Sequence, residues 1–271
     1  MSNNQPQPAA APKTPSRTPD WLSRLRSYFF WDLLIWFYTI VLGLLSLLSS
    51  FFDKDGRIQH EFARLWARMI LGTIGADVTV NSLEKLDASR VSIYAVNHLS
   101  ALDIPVLYKH LPFQFRILAK KELFRYPFMG WHLRRSGQIP VDQENLRKSV
   151  HSIGRAVKSL KTGMPIVIFP EGGRTEDGRL QPFMGGAFYL AIKAQVDVVP
   201  MALVGTYETL RLNSFHIKPH PIQLLVGEPI STVGMNIRNT DVLTQKARDA
   251  IADIYYSHSS VPDPRVQAAK K

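Results

Sequence analysis

The chain has 271 residues, 45% of them hydrophobic and 20% charged, with a net charge of +11 and no cysteine. The missing cysteine excludes disulfides, iron–sulfur ligation and a cysteine nucleophile or acyl-cysteine intermediate. The positive balance suits polyanions, but the basic residues are scattered and form no RNP-like, zinc-finger or helix-turn-helix pattern, so a membrane surface or a phosphorylated substrate accounts for the charge better than nucleic acid does.

Residues 1–19 are rich in Pro, Ala and Gln without apolar periodicity, the composition of a disordered tail. We place this basic tail over 1–27 and an anchoring helix over 28–56. Residues 33–52 (LLIWFYTIVLGLLSLLSSFF) carry no charge, and at 1.5 Å per residue they span about 30 Å, one hydrocarbon thickness. No A-x-A cleavage pattern follows, so the segment is expected to stay attached. Trp31, Trp36 and Tyr38 suit one membrane interface. Basic residues stand on both sides of the run, Lys13, Arg17, Arg24 and Arg26 before it and Lys54, Arg57, Arg64 and Arg68 after it. The positive-inside count therefore ties, and a two-helix hairpin dipping into one leaflet fits as well as a spanning helix.

Over 57–74, Ile58, Phe62, Leu65, Trp66, Met69 and Ile70 recur at helical spacing, with Arg57, Glu61, Arg64 and Arg68 opposite. This amphipathic helix either lies in the headgroup region or packs on the soluble core. From residue 75 to 260 one α/β domain is expected, with a short tail over 261–271. Strands are predicted at 91–96, 115–120, 164–169, 196–205 and 222–230, and helices through 104–111 and over 146–163, 186–195 and 240–258. Such alternation predicts a mixed, largely parallel sheet flanked by helices.

Two constellations follow predicted strands, where groups beyond strand ends meet ligands in sheets of this kind. The first is NHLSALD, from Asn97 to Asp103. His98 and Asp103 lie five apart, which places His98 in a turn and Asp103 in the first turn of the next helix. A neutral imidazole there can act as a base, and a carboxylate partner can fix its tautomer. The competing reading is structural: Ser100-x-x-Asp103 is a capping-box pattern, and Pro105 favours a helix start at Asp103. The second constellation is FPEGGRT, from Phe169 to Thr175. Gly172 and Gly173 let the backbone approach a ligand, and Arg174 offers a planar fork for phosphate or carboxylate. Glu171 is suited to orient Arg174 or to hold a substrate hydroxyl. A surface turn with a Glu–Arg pair is the bland alternative. His216 and His220 have pair-like spacing, but Pro219 and Pro221 preclude a helix there, and no metal site is expected.

Together the motifs make the sequence resemble the 1-acylglycerol-3-phosphate acyltransferases, or lysophosphatidate acyltransferases, among the glycerolipid acyltransferases. Residues 97–103 match the family's NHxxxxD motif and residues 169–175 its FPEG-x-R-[ST] motif; 120–142 (KKELFRYPFMGWHLRRSGQIPVD) resembles the segment leading into the second motif, and Val199-Pro200 the fourth. The resemblance runs from about residue 60 to 230. It implies that 75–260 is an acyltransferase domain in which His98 is the base and Asp103 its partner. Asn97, Glu171, Gly172, Gly173, Arg174 and Thr175 then bind substrate. The implied reaction moves a fatty-acyl group from acyl-CoA or acyl-carrier protein, as co-substrate, to the sn-2 hydroxyl of 1-acylglycerol 3-phosphate. No cofactor is implied. The implied partners are membrane lipids and the lyso-lipid acceptor, and the implied location is the cell (inner) membrane with the catalytic domain facing the cytoplasm. Two departures stand out: Gln143 replaces an expected Arg, and Met184 an expected Lys.

Three other readings remain open at this point. The acceptor is another lyso-lipid, such as a lyso-ornithine lipid or lysophospholipid; or His98 activates water as a hydrolase, although no G-x-S-x-G elbow is present; or the chain is a non-enzymatic membrane scaffold.

Overall fold

The computed structural model describes residues 20–87, 89–142 and 150–268. The expected tail over 1–19 therefore lies outside the described residues, as do Gln143, Arg147 and Lys148.

Seven strands form one sheet: β1 (Val78–Asn81), β2 (Ile93–Val96), β3 (Arg116–Lys120), β4 (Ile139–Val141), β5 (Ile166–Ile168), β6 (Val198–Val204) and β7 (Ile222–Val226). Their order is β1-β7-β6-β2-β5-β3-β4. β2, β3, β4, β5 and β6 run parallel, whereas β7 is antiparallel to β6 and β1 follows β7. The mixed, largely parallel sheet is the one the alternation predicts. β1 and β4 escaped the sequence reading because both are short edge strands, and β4 carries Pro140 at its centre, a residue that sheets tolerate at an edge.

The helices are α1 (Asp20–Arg26), α2 (Asp32–Ser49), α3 (Arg57–Thr73), α4 (Asp103–His110), α5 (Met129–Arg135), α6 (Val150–Lys161), α7 (Gly186–Ala194), α8 (Thr206–Thr209), α9 (Thr240–His258) and α10 (Pro264–Ala268). Successive residues of β2 divide between two cores. Ile93 and Ala95 join α6, α7 and α9 on one face; Tyr94 and Val96 join α3 and α4 on the other. A strand covered on both faces has no solvated side to carry polar residues, which explains the unbroken apolar runs of β2, β5 and β6.

The N-terminal helix begins at Asp20, inside the segment expected to be a tail, and runs to Ser49 through a π-helical turn at Ser27–Trp31. α10 likewise occupies part of the expected C-terminal tail. The long helix keeps one side on the domain along its length. Ser23 bonds His216 at 2.6 Å, Ser27 exchanges two hydrogen bonds with the backbone of Ile217, Trp31 enters the core, and Thr39 accepts from Trp66 at 2.9 Å. Its other side leaves Phe29, Leu33, Phe37, Ile40, Leu44 and Leu48 exposed.

α3 resolves the choice left open for the amphipathic helix. Ala67, Ile70 and Leu71 are buried against the sheet, and α2 lies against α3 through Trp66–Thr39 and Thr73–Tyr38 contacts. It is a core helix, and the α2–α3 pair is a helical hairpin.

Candidate active site

Because five strands are parallel, the segments leaving β2, β5 and β3 emerge at one edge of the sheet. The first motif leaves β2 there. Asn97 is fully buried: its Nδ2 donates to the Leu203 carbonyl at 2.9 Å and its Oδ1 accepts from Leu203 N at 2.7 Å. These bonds extend the β2–β6 ladder by a side chain and fix the point where the chain turns. Asn97 is thereby a support of the turn.

The turn brings His98 back onto α4. His98 Nδ1 lies 2.8 Å from Asp103 Oδ2, with Asp103 wholly buried and His98 17% exposed at its side chain. The same Oδ2 accepts the backbone N–H of Leu99 at 2.7 Å and of Ser100 at 2.9 Å. Asp103 therefore does both jobs that the sequence posed as alternatives, since one oxygen orders the turn and holds the imidazole. No capping box forms. The N-cap Leu102 makes no side-chain cap bond, and Ser100, also buried, donates to the Leu210 carbonyl at 2.7 Å and accepts from Leu102 N. Committed to those bonds, Ser100 is not placed as a nucleophile. Phe169 stacks on the His98 ring with centroids 4.1 Å apart, closing one face of it. With Nδ1 turned to a carboxylate, the favoured neutral tautomer leaves Nε2 as the acceptor.

The second motif leaves β5 beside this turn. Glu171 Oε1 accepts the His98 backbone N–H at 2.7 Å, and Oε2 accepts Gln181 N at 2.6 Å. No bond to Arg174 is among these contacts; the carboxylate instead ties the first motif's turn to its own loop by their backbones. Burial pushes its carboxyl up to about 8, against the two N–H groups that favour the charged form. Thr175 adds a second tie, its N–H donating to the His98 carbonyl at 3.2 Å, while its buried hydroxyl donates to Asp177. It too supports the loop from inside. Gly172 has φ +75°, a conformation that favours glycine, whereas a Cβ on Gly173 would meet nothing within 4 Å. Arg174 is exposed and makes no hydrogen bond or ion pair among the described residues, so its guanidinium is available to an outside anion.

The structure adds cations that the motif comparison undercounted. Lys120 ends β3 at the same sheet edge and is exposed; Lys121 follows it, paired with Asp142 at 2.5 Å. Their signal was in the sequence, as the KK of the segment read only as a lead into the second motif. Met184, in the place of an expected Lys, bonds its N–H to the Pro170 carbonyl at 2.8 Å and lines a small apolar recess with Leu118, Val141, Phe169 and Ala187. A far larger cleft of about 900 Å³ opens among Asn81, Lys85, Glu228 and Asp253. It lies at the end of the reversed strands β1 and β7, away from the motif residues, and none of the constellation reaches it.

A family model for acyltransferases matches residues 77–204. The chain is 33% identical over 237 residues to the chloroplastic 1-acyl-sn-glycerol-3-phosphate acyltransferase LPAT1 of Arabidopsis thaliana, covering 85% of this chain and 65% of that protein. It is 30% identical over 254 residues to a 1-acyl-sn-glycerol-3-phosphate acyltransferase of Chlamydomonas reinhardtii, covering 92% and 73%. The chain spans between 55% and 65% of the length of three plant relatives. Its fold matches the crystal structure of the 1-acyl-sn-glycerophosphate (LPA) acyltransferase PlsC from Thermotoga maritima with a TM-score of 0.69 at 23% identity, over 89% of this chain and 98% of that one.

Proposed function

Because the chain belongs to the 1-acyl-sn-glycerol-3-phosphate acyltransferase family, we propose that it transfers a fatty-acyl group from an acyl thioester to the sn-2 hydroxyl of 1-acylglycerol 3-phosphate, giving phosphatidic acid. The observation that carries this reading is the His98–Asp103 pair, 2.8 Å apart, at an edge where the exposed Arg174 also stands.

In this reading the acceptor hydroxyl gives its proton to His98 Nε2 as its oxygen attacks the thioester carbonyl carbon. The C–O bond forms, negative charge collects on the carbonyl oxygen, and the imidazolium is stabilised by Asp103. When the C–S bond breaks, the leaving sulfur takes the proton back from His98. His98, Asp103 and the acceptor balance the step without a covalent acyl-enzyme. Phosphate is held by Arg174, with Lys120 and Lys121 as further cations at the edge. The donor is acyl-CoA or an acyl-carrier protein.

The long N-terminal helix is proposed as the membrane anchor. A helix that touches the domain at Ser23, Ser27, Trp31 and Thr39 cannot cross a bilayer with the domain left in water. The arrangement supports a helix lying in one leaflet, with its exposed apolar side in the acyl region. The proposed location is the cell (inner) membrane, on its cytoplasmic face.

One observation favours a second acceptor class. Met184 is uncharged and turned to an apolar recess, which lowers the demand for a phosphate dianion. Lyso-lipids without a free phosphate are the alternative. The test is incubation of the full chain in membranes with labelled acyl thioester and a panel of lyso-lipids, beside His98→Ala. Acylated lysophosphatidate that disappears in the variant is the expected result; free fatty acid alone, or no turnover, overturns the proposal.

A further inference from the structure

Away from the motifs, one group of large apolar side chains stands in solvent on a segment that is not loose. Just before α5 and in its first turn the chain displays Tyr126, Phe128, Met129 and Trp131, exposed to 57%, 61%, 46% and 51%. Backbone bonds fix the turn: Met129 N donates to the Pro127 carbonyl at 2.6 Å and Gly130 N to the Tyr126 carbonyl at 2.8 Å. Phe124 is buried beneath it, and a Cβ at position 130 would meet the Phe124 carbonyl at 2.2 Å, so only glycine allows this approach. Phe128 itself has φ +58° without being glycine, a conformation that costs energy and here holds its ring outward against Trp131, with centroids 5.4 Å apart. Such a rigid apolar projection is unfavourable in water and marks a contact surface.

What covers it is indicated by its neighbours. α5 packs on the C-terminal end of α2, where Ser46 Oγ lies 3.4 Å from His132 Nδ1 and the Arg135 guanidinium sits 5.0 Å over the Phe51 ring. Phe51 and Phe52 are 67% and 88% exposed, so exposed apolar side chains stand at the end of the long N-terminal helix on which α5 packs. Its rim is basic, formed by the exposed Arg125, Arg134 and Arg135. An apolar centre with a cationic rim fits the headgroup boundary of an anionic bilayer, and fits an acidic soluble protein less well because that surface would leave the aromatic rings dry of partners.

We propose that residues 126–131 form a second membrane-inserting element, which seats on an anionic lipid surface together with α2. The proposal rests on the reading of the N-terminal helix as the anchor. A second inserted element beside the C-terminal end of α2 restricts the tilt of the domain. The same segment follows β3 after one short turn over Lys121–Arg125, so its insertion holds that part of the sheet edge near the lipid headgroups.

The absence of cysteine makes the test direct. Single cysteines replace Phe128 or Trp131, with Phe37→Cys on α2 as the lipid reference and Lys161→Cys on α6 as the water reference. Each full-length variant, labelled with a polarity-sensitive dye, is bound to vesicles containing anionic phospholipid and spin-labelled lipid quenchers. Dye at 128 and 131 is expected to be quenched as at 37 and unlike 161. A companion variant, Phe128→Ser with Trp131→Ser, is expected to bind these vesicles roughly tenfold more weakly while keeping the melting temperature of the parent. Quenching at 37 but not at 128 or 131 overturns the second element and leaves the anchor standing. Absence of quenching at all three positions overturns both.

Discussion

The Glu171 carboxylate accepts the backbone N–H of His98 at 2.7 Å, so a side chain of the second motif holds the main chain of the first. Glu171 thereby sets where the base stands, without touching the imidazole's own hydrogen-bonding atoms. The motif residues divide on this basis into those that hold the loops, Asn97, Glu171 and Thr175, and those proposed to meet the substrate, His98 and Arg174.

For the base and its partner, the two substitutions separate in what they damage. His98→Ala is expected to abolish acyl transfer while leaving the melting temperature close to that of the parent, since His98 Nδ1 is one of three groups on Asp103. Asp103→Asn is expected to lower kcat by roughly 10³–10⁴-fold, by analogy with loss of the orienting carboxylate in a triad. It also strips charge from the acceptor of the Leu99 and Ser100 N–H groups, and so costs about 1–3 kcal/mol of stability. Denaturant unfolding beside a kinetic assay checks both. An Asp103→Asn protein that is less stable but catalyses normally would leave Asp103 as a turn former only.

Glu171 carries a pH signature. Its folded value is raised from 4.5 to about 8 by burial, so the folded protein holds this proton more tightly than the unfolded chain does. The associated stability is full below about pH 4.5 and is lost as pH rises through about 8. Unfolding midpoints measured at pH 5, 6.5 and 8 are expected to fall along that series, less so in Glu171→Gln. The amide oxygen of Gln can satisfy one backbone N–H but its NH₂ opposes the other, so the variant is less stable by about 1–3 kcal/mol at low pH. Equal slopes for both proteins would mean that the two N–H groups keep Glu171 charged throughout.

Arg174 is exposed and makes no hydrogen bond or ion pair among the described residues, so its replacement should disturb binding and spare the fold. Arg174→Ala is expected to raise KM for lysophosphatidate about 10–100-fold, the loss of one or two charge-assisted hydrogen bonds. Arg174→Lys is expected to recover part of this, since the charge remains and the planar fork does not. Competition between lysophosphatidate and a phosphate-free lyso-lipid reads the same residue. Equal use of both acceptors by parent and Arg174→Ala would transfer the assignment to the phosphate-free class.

The neighbouring glycines should not behave alike. Gly172 sits at φ +75°, where a side chain costs about 1–2 kcal/mol. Gly172→Ala is therefore expected to lower both stability and rate, whereas Gly173→Ala, with open space at its Cβ, should leave the melting temperature unchanged. Similar losses in the two variants would show that the backbone of Gly173 approaches a bound substrate too closely for a methyl group.

Much of the fold could be read from periodicity because β2, β5 and β6 are covered on both faces and α9 is long and amphipathic. The edge strands β1 and β4 left no such trace, since β1 has no fully buried residue and β4 carries a proline at its centre. For the site, the spacing of His98 and Asp103 sufficed, since their contact is local. The supports were illegible for the opposite reason. Asn97 finds Leu203 across 106 positions and His98 finds Glu171 across 73, pairings decided by strand order, which hydrophobic patterns do not encode. The amphipathic stretch at 57–74 was ambiguous because a helix packed on a sheet and a helix floating on lipid need the same apolar stripe.

The reversed pair at the sheet edge also sets a timetable for biosynthesis. β1, at residues 78–81, bonds only β7 among the described strands, and β7 begins at residue 222. As the chain leaves the ribosome, β1 must wait for most of the remaining sequence before its ladder can close, a delay inherent in contacts distant along the chain. The N-terminal helix emerges long before that. If it is the anchor proposed above, its apolar side engages lipid while the sheet is still open, and the nascent domain completes itself at the membrane surface.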